Sequence, residues 1–201
     1  LPHESTLMSG LADYEIHAEL HRSGRSAVHR ATREDDGAPV VLKRLTSPDC
    51  SAAEIARFHY AVELMRELDL EGVPRFEALV QHEGRPVLVT DDIGGEALNL
   101  LLHRRPLALR ETLALATQVC RTLGEIHQRG VIHRDIKPAN IILAPDGRVQ
   151  IIDFHLSSRL PRESAQFVNP GNIEGTLAYI APEQTGRMNR PTDYRADLYS
   201  L

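Results

Sequence analysis

The sequence predicts an α+β fold: an antiparallel sheet with one helix in its first half, and a mainly helical second half. Three observations carry that prediction. Stretches before residue 91 read as strands joined by short turns, the pattern of consecutive antiparallel pairing. One stretch among them, 51–69, instead repeats apolar residues with helical period. After residue 95 the strand-like runs shrink to a few residues, while a long helical pattern covers 109–129.

Residues 1–12 read as a flexible leader. Residues 14–20 alternate apolar and polar, as a half-buried strand does. A turn cluster at 21–26 leads to a second strand, 27–32, and Asp35-Asp36-Gly37 signals a hairpin into a third, 39–45. In 51–69, Ile55, Phe58, Val62, Met65 and Leu68 share one helical face. Residues 73–80 and 85–90 read as fourth and fifth strands around a turn at 81–84, and Asp91-Asp92-Ile93-Gly94-Gly95 breaks the pattern. A short helix is predicted at 97–103. The longer one has Leu113, Ala116, Val119, Cys120, Leu123 and Ile126 as apolar positions and Gly130 as its stop. Two short strands, 141–143 and 149–152, close through a turn at Pro145-Asp146-Gly147, which brings Asp153 back near Asn140. Residues 156–174 are polar and irregular.

Composition narrows the function. A length of 201 residues suits one domain or two small lobes. A net charge of -5 and the lack of a basic tract argue against binding nucleic acid or an anionic membrane non-specifically. No apolar run is long enough for a membrane segment, and the N-terminus lacks the charged-then-apolar order of a signal peptide. Cys50 and Cys120 belong to no CxxC and read as buried or incidental thiols of a reducing, cytoplasmic compartment. The histidines are scattered, with no HExxH or Cys/His cluster, so a zinc site is not indicated.

The chemistry concentrates in His133-Arg134-Asp135-Ile136-Lys137-Pro138-Ala139-Asn140. Asp135 is a carboxylate able to accept a proton from an attacking hydroxyl. Lys137 is placed to neutralise phosphate charge. Asn140 offers an amide oxygen to a hard cation such as Mg²⁺. This order resembles the catalytic loop of eukaryotic-like protein kinases, H-R-D-x-x-x-x-N. Val40-Val41-Leu42-Lys43 resembles the V-A-I-K strand, and Asp153-Phe154-His155 the D-F-G motif with His for Gly. Gly175-Thr176-Leu177-Ala178-Tyr179-Ile180-Ala181-Pro182-Glu183 ends in A-P-E. The resemblance runs from about residue 13 to 201, strongest over 133–201 and weakest in the first three strands. More narrowly, 174–190 and 193–201 look like bacterial hybrid signalling proteins, where a Ser/Thr kinase domain precedes an AAA-type ATPase region, a GAF domain and often a histidine kinase.

That resemblance implies a bilobal fold with an N-lobe at 13–90, a hinge at 91–95 and a partial C-lobe at 96–201. Further helices and downstream domains are expected beyond Leu201. It implies ATP and Mg²⁺ as cofactors and a protein Ser/Thr hydroxyl as substrate. Lys43 would pair the α/β-phosphates, Asp153 and Asn140 would hold Mg²⁺, and Asp135 would take the hydroxyl proton while Lys137 steadies the γ-phosphate. Thr176 would bridge Asp135 and Lys137, and Asp197 would cap amides of the catalytic loop. Ser23, Gly24 and Val28 fall in the loop over the phosphates, and backbone groups at Asp91 and Ile93 would meet adenine. Arg134 would meet a phosphate on Ser157, Ser158 or Ser164.

The chain departs from the family pattern in three places. With Val28 as the terminal Val of the glycine-rich loop, its Gly positions fall on His21, Ser23 and Ser26. Ala61 stands where a helical Glu would pair with Lys43, and Glu63 lies roughly 200° around the helix from it. His155 restricts a backbone position that Gly leaves free. These departures keep a second reading open, a nucleotide-binding or scaffolding pseudokinase that controls downstream domains. A small-molecule kinase of the aminoglycoside type would share the H-x-D…N loop but not Lys137-Pro138 or 175–183.

Overall fold

The alternating residues of the first half form one five-stranded antiparallel sheet in a computed structural model, which describes residues 11–47, 50–159, 178–185 and 191–201. Its strands are β1 (Tyr14–Arg22), β2 (Ser26–Arg33), β3 (Pro39–Leu45), β4 (Phe76–His82) and β5 (Arg85–Asp91), in spatial order β1-β2-β3-β5-β4. Between β3 and β4 runs α1 (Ala52–Leu68). Ser51 caps it by accepting from the Glu54 N–H while the Glu54 carboxylate reaches back, a reciprocal capping box. Helix α1 buries Phe58, Ala61, Val62, Leu64, Met65 and Leu68.

The second half carries β6 (Glu96–Ala97), α2 (Leu98–Arg104), α3 (Leu109–Gln128), β7 (Val131–Ile132), β8 (Ile141–Leu143), β9 (Val149–Ile151), β10 (Ser158–Arg159) and α4 (Arg195–Ser200). Strands β6, β8 and β9 form a small sheet, and β7 pairs with β10. One core joins the halves: Phe58, Leu64 and Leu68 of α1 belong to the same cluster as Val119, Leu123 and Ile126 of α3, with Ile136, Ile151 and Phe154. Burying each large apolar side chain is worth roughly 1.5–3 kcal/mol. An exposed ion pair such as Arg159–Glu67 is worth about 0–1 kcal/mol, so burial holds the halves together. A smaller cluster of Tyr14, Ala31, Val40, Leu42, Val80, Val87 and Val89 covers the other face of the sheet.

Two glycines permit the close packing behind the site. A Cβ on Gly72, whose carbonyl accepts from Ile151 N–H at 2.8 Å, would lie 1.9 Å from Thr122 Oγ1 on α3. A Cβ on Gly95 would lie 2.4 Å from Ile142 Cγ2 of β8.

Several expectations need correction. Only Tyr14 of β1 is buried, and Ile16 and Leu20 are exposed, because β1 is an edge strand whose alternation meets no covering layer. The β4–β5 turn is the pair Glu83-Gly84, both at positive φ as a tight two-residue hairpin requires. On α3, Leu113 and Cys120 are exposed; Val119, Leu123 and Ile126 carry the burial. Cys50 is half-buried, so neither thiol belongs to the core. The leader at 1–10 lies outside the described residues, and Leu11–Asp13 is a single 3-10 turn.

Candidate active site

The polar stretch begins where β7 ends, and its backbone is gripped from below. Asp197 of α4, fully buried, accepts from the His133 N–H at 2.8 Å and the Arg134 N–H at 2.7 Å, with His127 Nε2 at 2.8 Å. Asp197 therefore caps the loop rather than its own helix. The grip holds Arg134 at φ 69°, a left-handed conformation that costs a non-glycine residue on the order of 1–3 kcal/mol. Gln184 Nε2 adds a bond to the Arg134 carbonyl at 2.9 Å.

His133 is a strut. Its Nδ1 accepts from the Asp135 N–H at 3.3 Å, so Nε2 carries the proton that bonds the Ile152 carbonyl at 3.0 Å. Its ring packs edge-on against Phe154 at 4.9 Å. Complete burial pushes its pKa below the ordinary 6.5, outweighing the pull of Asp197, Asp153 and Asp135.

Asp135 is buried, and two donors meet its Oδ2: Lys137 Nζ at 2.7 Å and Asn140 Nδ2 at 2.8 Å. Asn140 Nδ2 also donates to the Asp135 carbonyl at 2.8 Å. Both amide hydrogens are thus spent on Asp135, which turns the Asn140 amide oxygen away from it. The Ile152 N–H to Asn140 carbonyl bond, 2.9 Å, brings the end of β9 alongside the loop, as the two-strand pattern implied.

Asp153 follows at φ 73°, again left-handed and non-glycine. Its Oδ1 meets two partners, Lys43 Nζ and His155 Nδ1, the latter at 2.8 Å. Burial alone would raise its pKa, but the Lys43 ammonium and the His155 bond outweigh burial and hold the carboxyl well below the carboxylate range. The backbone strain expected at His155 sits at Asp153 instead. His155 lies in a 3-10 turn, Phe154–Leu156, where a Cβ is no obstacle.

Lys43 stands on β3 directly across from Val28 of β2 and Leu88 of β5. Ala61 is buried in α1, and the partner of Lys43 is Asp153 from the other half of the chain. Ser23 forms a tight turn, its Oγ accepting from the N–H groups of Arg25 and Ser26 at 3.2 and 3.0 Å, with Gly24 at its tip. At the break after β5, the Asp91 N–H is taken by the Arg75 carbonyl at 3.1 Å. Among the described residues, no backbone bond takes up the N–H or carbonyl of Ile93.

The structure thus brings together Lys43, Asp135, Lys137, Asn140 and Asp153. Thr176 and Ser164 lie outside the described residues. Ser157, one of the serines whose phosphate Arg134 was expected to meet, is buried and donates to the His133 carbonyl at 3.2 Å; Ser158 is half-buried in β10. Sequence reasoning missed Arg30, which bridges β2 to Asp92 and to the Gly95 carbonyl at 2.9 Å. Its position two residues from Val28, on the same strand face, is the signal that could have found it.

A five-stranded sheet with one helix, presenting a lysine over a helical half that carries Asp135, Asn140 and Asp153, defines a bilobal kinase fold. The chain belongs to the protein kinase domain family, whose profile matches residues 14–201. It is 33% identical over 195 residues to the serine/threonine-protein kinase PknA of Mycobacterium tuberculosis, covering 94% of this chain and 44% of that protein. It is 31% identical over 202 residues to PknL of the same organism, covering 100% and 49%. A probable serine/threonine-protein kinase of Streptomyces coelicolor is 28% identical over 193 residues, covering 93% and 28%. The chain spans less than half the length of these curated relatives. Among the described residues no helix is long and apolar enough to cross a membrane.

Proposed function

We propose that this domain transfers the γ-phosphoryl group of ATP to a Ser or Thr hydroxyl of a protein, in bacterial signalling. The observation that carries the reading is the Asp135 carboxylate, held at Oδ2 by Lys137 and Asn140, while among the described residues no hydrogen-bond donor meets its other oxygen, which is open to an incoming hydroxyl. Asp135 orients that hydroxyl and receives its proton. Lys137, beside it, balances charge on the phosphoryl in flight. Lys43 exchanges Asp153 for the α/β-phosphates when nucleotide enters. The Ser23-Gly24 turn and Val28 cover the phosphates, and backbone groups at Asp91 and Ile93 meet adenine.

The metal donor set fits Mg²⁺, which takes oxygen ligands. Asp153 is an ionised carboxylate, and the Asn140 amide oxygen is the one atom of that amide its hydrogen bonds leave over. Bound there, the ion would neutralise charge on the phosphates. The protein's own share is positioning and electrostatic complementarity. Residues 13–90 then act as the N-lobe, 91–95 as the hinge and 96–201 as part of the C-lobe.

Asp135→Asn in the full chain should lower phosphotransfer by about 10²–10⁴-fold, the usual share of a positioned base, while ATP binding persists. Unchanged turnover overturns the assignment. One observation favours a second reading: Ala61 is buried where a carboxylate for Lys43 is absent. A pseudokinase that binds nucleotide to regulate attached domains would show an ATP-dependent melting shift and no transfer of labelled phosphate.

A further inference from the structure

We propose that His155 is a third protein ligand of the cation held by Asp153 and Asn140, and that it biases this site toward first-row transition ions over Mg²⁺. The inference rests on the metal reading given above and goes beyond it, since the residue that the family pattern has at this position, Gly, offers no donor. His155 Nδ1 stands 2.8 Å from Asp153 Oδ1. Neighbouring donors of an octahedral ion with bonds near 2.0–2.1 Å are roughly 2.9 Å apart, the same separation, and ligation proceeds as the Nδ1 proton that now donates to Asp153 is released to solvent, leaving the neutral ring with its proton on Nε2 and the Nδ1 lone pair on the ion. The same carboxylate oxygen also meets Lys43 Nζ, which marks it as the point where positive charge collects. The imidazole is nearly half exposed, so an ion reaches it from solution without opening the core.

The chemistry follows from the donor types. Mg²⁺ is satisfied by carboxylate, amide oxygen and water. An imidazole nitrogen adds little for Mg²⁺ but strengthens binding of transition ions, increasingly along the divalent series from manganese to copper. Among the described residues no three His, Cys, Asp or Glu side chains gather; the set here is one Asp, one His and the Asn140 amide. Two such ligands plus an amide leave coordination positions for phosphate oxygens and water. The alternative role, a hydrogen bond that merely fixes the Asp153 rotamer, leaves the nitrogen off the metal.

Mn²⁺ is the probe, because a nitrogen bound directly to it modulates its electron spin echo. In the full chain with Mn²⁺ and a non-hydrolysable ATP analogue, the echo should show a directly bound nitrogen that changes when histidine is ¹⁵N-labelled. In His155→Gly that signal should vanish and Mn²⁺ should bind about tenfold more weakly, with a far smaller change for Mg²⁺. Glycine accepts the observed backbone, so the variant should fold. An Mn²⁺ site that depends on Asp153 but shows no histidine nitrogen, or equal Mn²⁺ affinity in His155→Gly, overturns this inference alone. Mn²⁺ binding unaffected by Asp153→Asn overturns the underlying metal assignment and this inference with it.

Discussion

His133 touches no solvent, yet it joins the catalytic loop to the end of β9 through the Asp135 N–H and the Ile152 carbonyl. Its folded pKa is depressed by burial, and the carboxylates facing it, Asp197, Asp153 and Asp135, only moderate that. The unfolded chain therefore takes up a proton at His133 that the folded chain refuses. The resulting stability is complete above the ordinary value of 6.5 and is lost as pH falls from there toward the depressed value. His29, also depressed by burial, acts in the same direction. His133→Phe keeps the ring against Phe154 and His29 unchanged. Urea unfolding at a series of pH values should give curves for wild type and variant that converge below about pH 6.5, by up to about 1.4 kcal/mol per pH unit, the value of one proton. Parallel curves would show that the folded chain protonates His133 as readily as the unfolded chain does. The residues of this site were largely legible in the sequence, since Asp135, Lys137 and Asn140 sit within six positions and contact one another. Arg30 and Gln184 were not, because their partners lie 62 and 50 residues away; only the strand face that Arg30 shares with Val28 hints at the first, and nothing local marks the second.

Among the elements, the legible ones are those long enough to show a period. Helix α1 was predicted to within a residue at each end, and the Ser51–Glu54 capping box is a local signal for its start. Strands β6, β7 and β10 have two residues each, too few for alternation, and they exist only because β8 pairs with β6 while β7 and β10 pair with each other. Gly72 shows how closely elements are set behind the site. Its carbonyl bonds to the last residue of β9, two residues before Asp153, and Thr122 of α3 fills the space where a Cβ would go. The nearest Thr122 atoms include its own Cβ, at 2.8 Å, so rotating the side chain cannot clear the way and α3 or β9 must shift. Gly72→Ala should cost about 1–3 kcal/mol, as overpacking does. The urea midpoint should fall with an unchanged m-value. Adding Thr122→Ala removes the two closest atoms and should recover part of the loss, a coupling of about 0.5–3 kcal/mol in the double-variant comparison. Strict additivity would mean the two side chains do not compete for that space.

At the scale of the molecule, the sheet and the helical half share an apolar core behind the site, while in front they meet through charge. Arg30 of β2 reaches Asp92 and Gly95, and Lys43 of β3 reaches Asp153. The sequence made the two halves legible through their different periods but not this join. A strand lysine ordinarily reads as solvated, and its partner lies 110 residues on. Because α1 offers Ala61 in place of an acid, the anion for Lys43 comes from the opposite half. Both side chains keep about a quarter of their exposure, 23% and 25%, so water screens the pair only in part. A double-variant cycle on Lys43→Met and Asp153→Asn should therefore show about 1–3 kcal/mol of coupling in unfolding free energy without nucleotide. Saturating MgATP analogue should shrink that coupling, because the lysine is then shared with the phosphates and the carboxylate with the cation. Raising salt should weaken it less than it weakens an exposed pair such as Arg105–Glu111. Coupling near zero without nucleotide would mean that the halves are joined by the apolar core alone and that Lys43 waits unpaired for its ligand.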